Sequence, residues 1–152
     1  MYFIYRNRYV VSLLLGLSLM LSSCKVTLVS AYDAVSEQMV TDMQQITSTF
    51  FVKVESDPSS SDVAYKNCKK MYEDLKVKAA TLRIRNMEID KNKFMSTMAV
   101  QLESNIKDLE ALHKIKQNGL LSLDDVTLLK SAFENQYGAI FKFLMASKAR
   151  DK

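Results

Sequence analysis

Glu110-Ala111-Leu112-His113 sets a carboxylate and an imidazole three residues apart, on one face of any helix that carries them. Helical bundles use that spacing twice to hold a pair of iron ions. His113 is the only histidine of the chain, so a second such pair cannot be built. The spacing predicts a surface or boundary histidine beside the Leu109 and Leu112 stripe, with no metal. Ligation of a haem by His113 and a methionine is disfavoured by the same count, and no C-x-x-C-H attachment sequence occurs. Met39, Met43 and Met98 fall on apolar helical stripes, where a flexible thioether fills a core, so copper ligation is not expected either. Asp124-Asp125 resembles an acid–base pair, but carboxylates in the first turn of a helix favour its positive end, and capping is the expected role. Cys68 is either buried or joined to another chain, and its place between Ala64 and Tyr72 on a predicted core stripe favours a buried, inert thiol. There is no H-E-x-x-H and no phosphate-binding glycine loop. The expectation is a protein without catalytic residues, metal or cofactor.

The elements around these residues follow from a short list of facts. The chain has 152 residues, enough for one core of ordinary size. Hydrophobic residues make up 48%, which excludes a disordered chain, and only three glycines and one proline are available for turns. Sandwiches, barrels and doubly wound sheets need more, so the composition predicts long helices.

Apolar residues recur at three- and four-residue steps in four segments. The first stripe is Tyr32, Val35, Met39, Met43, Ile46, Phe50 and Val54, beginning near Ala31 with Ser30 and Asp33 as a capping box and ending in Ser56-Asp57-Pro58-Ser59-Ser60-Ser61. The second is Ala64, Cys68, Tyr72, Leu75, Ala79 and Leu82, with Ser59 and Asp62 as its cap and an end near Arg85. Between Asn86 and Asp90 the phase is lost without a glycine or proline, leaving one long helix as the rival. The third is Phe94, Met98, Leu102, Ile106, Leu109 and Leu112, stopped at Asn118-Gly119. The fourth is Val126, Leu129, Phe133, Tyr137, Ile140 and Leu144, capped by Ser122 and Asp125 and lasting to about Ser147. Four helices of about 25 residues, roughly 38 Å each, with short connections predict an all-α, antiparallel up-down four-helix bundle over residues 30–147, followed by a basic tail at 148–152.

The N-terminal segment has a different character. Arg6 and Arg8 precede the apolar run Val10 to Leu21, no acid occurs before Asp33, and the run ends in Leu21-Ser22-Ser23-Cys24. The run is shorter than the roughly 20 residues a membrane span needs. These two dozen residues resemble the signal peptide and lipobox of bacterial lipoproteins: basic start, apolar stretch, a branched apolar residue, two small residues and cysteine. The resemblance implies cleavage before Cys24, lipidation of Cys24 as the mature N-terminus, and a short tether over residues 24–29. It also implies residence in the cell envelope; Lys25 rather than aspartate after the cysteine favours the outer membrane of a two-membrane host.

Loss of residues 1–23 leaves 19 bases against 17 acids, so the formal charge of +4 becomes +2 and no nucleic-acid partner is expected. Charge is nonetheless uneven. Residues 29–57 hold five acids and one lysine, whereas residues 62–85 hold seven bases and three acids, as complementary neighbours in one bundle would. Up-down order would gather Arg83, Arg85, Lys91, Lys93, Lys148, Arg150 and Lys152 at the end nearest Cys24, facing anionic headgroups. Apolar residues off the stripes, Val40, Phe51, Val52, Val77, Ile84, Val100 and Phe141, could form a contact patch for an envelope protein partner, although wide core faces explain most of them. The function expected is therefore that of a lipid-anchored, non-enzymatic structural or interaction module. The alternative is a bundle that binds a small apolar ligand or cofactor, for which a continuous internal cavity would be the mark.

Overall fold

The computed structural model describes residues 31–89 and 92–151. Among them the chain is all-helical: α1 (Ala34–Ser56), α2 (Tyr65–Glu88), α3 (Lys93–Ile115) and α4 (Leu123–Arg150), with single 3-10 turns at Ser61–Val63 and Gln117–Gly119. No helix among the described residues is long and apolar enough to cross a membrane.

Local chemistry places the ends. Asp33 caps α1, its carboxylate accepting from the backbone N–H groups of Val35 and Ser36, so the helix starts three residues later than the pattern suggested; Ser30, expected in a capping box with it, lies outside the described residues. The Ser60 hydroxyl accepts from the Asp62 N–H and caps the 3-10 turn, displacing the expected cap at Ser59; α2 then begins at Tyr65 with no side-chain cap. The two middle helices are separate. α2 continues to Glu88, beyond Arg85, and α3 starts at Lys93, so the lost phase marks a real break. Helix α3 stops at Ile115. Asn118 (φ 56°) and Gly119 (φ 64°) both adopt the left-handed conformation and turn the chain. Ser122 and Asp125 form the full reciprocal capping box of α4, which runs on to Arg150, so most of the expected tail is helix.

Gly119 is also needed for space. A Cβ there would lie 3.0 Å from the Cβ of Tyr65 and 3.3 Å from its backbone nitrogen, at the first residue of α2. Gly119→Ala therefore combines a strained φ with a backbone collision and should cost about 1 to 3 kcal/mol. A shift of the urea midpoint at unchanged m-value is the expected observation.

Each helix lies against two neighbours, and α2 with α3 form the most extensive contact. Cross-links show the directions. Asp33 at the start of α1 binds Arg85 at the end of α2; Lys76 and Arg83 of α2 bind Glu110 and Glu103 of α3 in reverse order. Phe94 at the start of α3 stacks on Phe143 late in α4, and Glu55 near the end of α1 meets Lys130 early in α4. The core they enclose includes Met43, Phe51, Tyr72, Leu75, Leu82, Leu102, Ile106, Leu109, Tyr137 and Ile140. Ala79 and Ala99 are fully buried on α2 and α3, and residues this small let helix backbones approach closely.

The predicted stripes hold for α2 and, with Leu129 partly buried, for α4, and turn slightly on α1 and α3. On α1, Val35 is exposed and Met39 and Ile46 are only partly buried, while Ser36, Val40, Thr47 and Phe51 face inward. On α3, Met95, Ala99 and His113 replace Phe94, Met98 and Leu112 as buried positions. Val40 and Phe51 thus belong to the core, not to a contact patch; Val52, Val77, Ile84 and Val100 remain exposed.

Candidate functional site

The start of α1, the end of α2, the start of α3 and the end of α4 meet at one end of the molecule, where the chain continues toward Cys24 outside the described residues. Lys91 and Lys152 also lie outside them. The other five basic residues expected there are placed as follows. Arg85 grips Asp33 with two hydrogen bonds, Nε at 2.6 Å and Nη2 at 2.9 Å, and this guanidinium is the main reason the Asp33 carboxyl falls to about 2. Arg83 binds Glu103 at 2.9 Å, and Lys148 binds Glu37 at 3.2 Å while lying 4.8 Å over the Tyr32 ring. Arg150 pairs with Asp151 at 2.7 Å, whose other oxygen accepts from the Tyr32 N–H. Lys93 is exposed and has no ion-pair partner among the described residues.

So four of the five are engaged with acids of the bundle. Lys78 with Asp42 adds another α2-to-α1 pair, and the complementary-charge reading of helices one and two is what the pairing shows.

A buried polar chain beneath these pairs was not legible in the stripes. Ser36 Oγ donates to Asp33, Asn86 Nδ2 donates to Ser36 Oγ (3.0 Å) and to the Leu82 carbonyl (2.8 Å), and Asn92 Nδ2 donates to Asn86 Oδ1. It links α1, α2 and the start of α3 at this end and fixes their register through groups too costly to bury unpaired.

The second polar centre is near the opposite end. His113 is fully buried, which corrects the expectation of a surface or boundary position. Its Nδ1 lies 2.8 Å from the Tyr72 hydroxyl, and the rings of Phe50, Tyr65 and Tyr72 surround it at 5.5 to 5.8 Å between centroids. Burial lowers the imidazole pKa; the nearby Gly119 and Val63 carbonyls act the other way without reversing it. Burial likewise pushes the Tyr72 phenol upward and keeps it protonated; with the Gly119 and Val63 carbonyls beside the ring, the proton is assigned to Nε2, which makes no hydrogen bond of good geometry, and the Tyr72 O–H then donates to Nδ1. Glu110 is drawn elsewhere, to Lys76 at 2.6 Å. The E-x-x-H pair is therefore split between two environments, and among the described residues no group of His, Cys, Asp or Glu is arranged to hold a metal.

Cys68 is buried, as its stripe predicted, and burial raises its thiol pKa. It helps line an open groove of about 390 Å³ between α1 and α2, with Ile46, Phe50, Met71 and Lys53. A second open groove of about 450 Å³, lined by Met39, Ile84, Arg85 and Ile89, lies along the same pair of helices. Neither is an enclosed core cavity of the kind an apolar ligand inside the bundle would need.

Asp125, expected as a cap, binds Lys116 and the Ser122 hydroxyl and backbone; the lysine contact leads in lowering its carboxyl to about 2. No protein-family model, curated protein or solved structure matches this chain.

Proposed function

We propose that this chain is a lipid-anchored lipoprotein of the cell envelope, in which an antiparallel up-down four-helix bundle serves as a non-enzymatic structural or protein-interaction module. The observation that carries the reading is Leu21-Ser22-Ser23-Cys24 at the end of an apolar run that follows Arg6 and Arg8. Cleavage before Cys24 and acylation of its thiol and amine tether the bundle to lipid, and several acyl chains hold far more firmly than one, at about 0.8 kcal/mol per buried methylene. Lys25 favours the outer membrane where the host has two. The engagement of the basic and acidic side chains in helix-to-helix ion pairs supports a scaffold rather than a catalytic role. Residues 1–23 act as the signal and residues 24–29 as the lipidated N-terminus and tether.

Metabolic labelling with an alkyne fatty acid tests this. The native chain is expected to incorporate the label and to migrate as the processed form. Cys24→Ala should abolish labelling and leave the uncut precursor; equal labelling of both chains would end the lipoprotein reading.

A further inference from the structure

We infer that the end of the bundle carrying Met87, Ile89 and Phe94 seats in the headgroup layer of the membrane to which the chain is tethered; the inference rests on the lipid-anchor reading above. Met87 in the last turn of α2 is 61% exposed and Phe94 in the first turn of α3 is 46% exposed, with Ile89 half-buried between them. These side chains end two adjacent helices at the same end of the molecule from which the chain leaves toward Cys24, as the contact of the Tyr32 N–H with Asp151 and of Asp33 with Arg85 shows.

The tether selects the occupant. Seven steps of chain from Cys24 to Ala31 span at most about 25 Å. A linker of that reach holds this end of the bundle at an effective concentration in the millimolar range near the surface, where a weak contact suffices. Apolar side chains beside a cationic one are the pattern of an interfacial contact, the rings and thioethers entering about 5 to 10 Å while the ammonium stays at the headgroups. Lys93 adjoins Phe94 and has no ion-pair partner among the described residues, whereas Arg83, Arg85 and Lys148 are held by Glu103, Asp33 and Glu37. The charges of Arg83, Arg85 and Lys148 are therefore used within the bundle, and apolar insertion supplies the contact. That makes it insensitive to salt.

The chain contains no tryptophan, so single substitutions provide reporters. Full-length processed protein carrying Phe94→Trp or, near the other end of the bundle, Leu128→Trp (75% exposed in the native chain) is reconstituted in phosphatidylcholine vesicles whose acyl chains are brominated. Phe94→Trp fluorescence should fall at least about twofold, as insertion to interfacial depth requires, and Leu128→Trp should be unchanged. The quenching should persist in 1 M salt, where the screening length is about 3 Å, and without anionic lipid. Far-UV circular dichroism and co-flotation with the vesicles are recorded for each variant, and Met87→Trp provides a second reporter should Phe94→Trp not fold.

If the protein floats with the vesicles in a Cys24-dependent manner but neither reporter is quenched, the seating is wrong and the anchor stands. Quenching that vanishes in salt, or that is larger at residue 128, also overturns the seating. Absence of Cys24-dependent flotation rejects the anchor, and the seating with it.

Discussion

Phe51→Ala will lower the free energy of unfolding by about 3 to 5 kcal/mol, whereas Val35→Ala on the same helix will change it by less than about 1. The two residues exchange the places that a simple stripe assigns them. Phe51 lies off the three- and four-residue pattern that runs through Phe50 and Val54, yet it is fully packed, 5.6 Å from the Phe50 ring and 5.9 Å from Phe133 across the α1–α4 contact. Removing its ring discards the transfer free energy of a buried aromatic side chain and opens a void between rigid helices that cannot close around it. Val35 keeps much of its side chain in water, so truncation loses little. Urea unfolding of residues 24–152 followed by circular dichroism measures both. Similar losses for the two variants would mean that α1 is rotated from the position described. Lys107→Ala, on an exposed lysine paired with Glu103 along its own helix, is the surface control and should cost well under 1 kcal/mol.

What the pattern conveyed and what it missed have the same physical origin. Helix number, the proline-serine break and the stop at Asn118-Gly119 come from backbone chemistry that acts locally, and the structure keeps all of them. The α2 stripe is also retained in full, because Cys68, Tyr72, Leu75, Ala79 and Leu82 recur at helical spacing on one face, while Val77, Ile84 and Met87 stand singly among the charged residues of the others. Helix α1 is ambiguous: Val35, Met39 and Ile46 lie on one edge of the face that Met43, Phe50 and Val54 share, Val40 and Phe51 on the other, and apolarity alone does not choose. The choice is made by polar groups that apolar counting sets aside. Ser36 must reach Asn86, and Thr47 must lie beside the Tyr137 hydroxyl at 3.3 Å, which turns α1 toward Val40 and Phe51. His113 was misplaced for the same reason, since a histidine can be buried when a specific partner receives it, and Tyr72 is 41 residues away. The positions of Arg85 and Lys148 at one end followed from topology, but their engagement by Asp33 and Glu37 needed coordinates.

That buried histidine makes stability depend on pH in a window of its own. The pKa of His113 is lowered by burial, so the folded protein keeps the ring neutral while the unfolded chain takes up a proton at its ordinary value, near 6.5. Above that value both states are neutral and the group makes no pH-dependent contribution. As pH falls below about 6.5 the unfolded state binds more protons, and stability declines with a slope of up to about 1.4 kcal/mol per pH unit until the folded protein also protonates. Protonation of the ring would also end its acceptance of the Tyr72 hydroxyl proton at Nδ1.

The carboxylates act in a lower window. Asp33 and Asp125, held at about 2 chiefly by Arg85 and Lys116, contribute stability that is complete above the ordinary carboxyl value of 3.8 and lost as pH drops toward 2. His113→Phe should therefore remove the decline between about pH 6.5 and 5 while leaving the acid-side loss in place. At pH 8 the same substitution should cost about 1 to 3 kcal/mol, because Tyr72 is left with a buried hydroxyl and no acceptor. The double variant Tyr72→Phe, His113→Phe removes the orphaned group and should recover part of that loss, as coupled partners do. Urea titrations at pH 8, 6.5, 5.5 and 4 on the three proteins separate the two windows. A His113→Phe protein that still loses stability from pH 6.5 downward like the native chain would show that another group titrates there and that the imidazole is not held neutral by the fold.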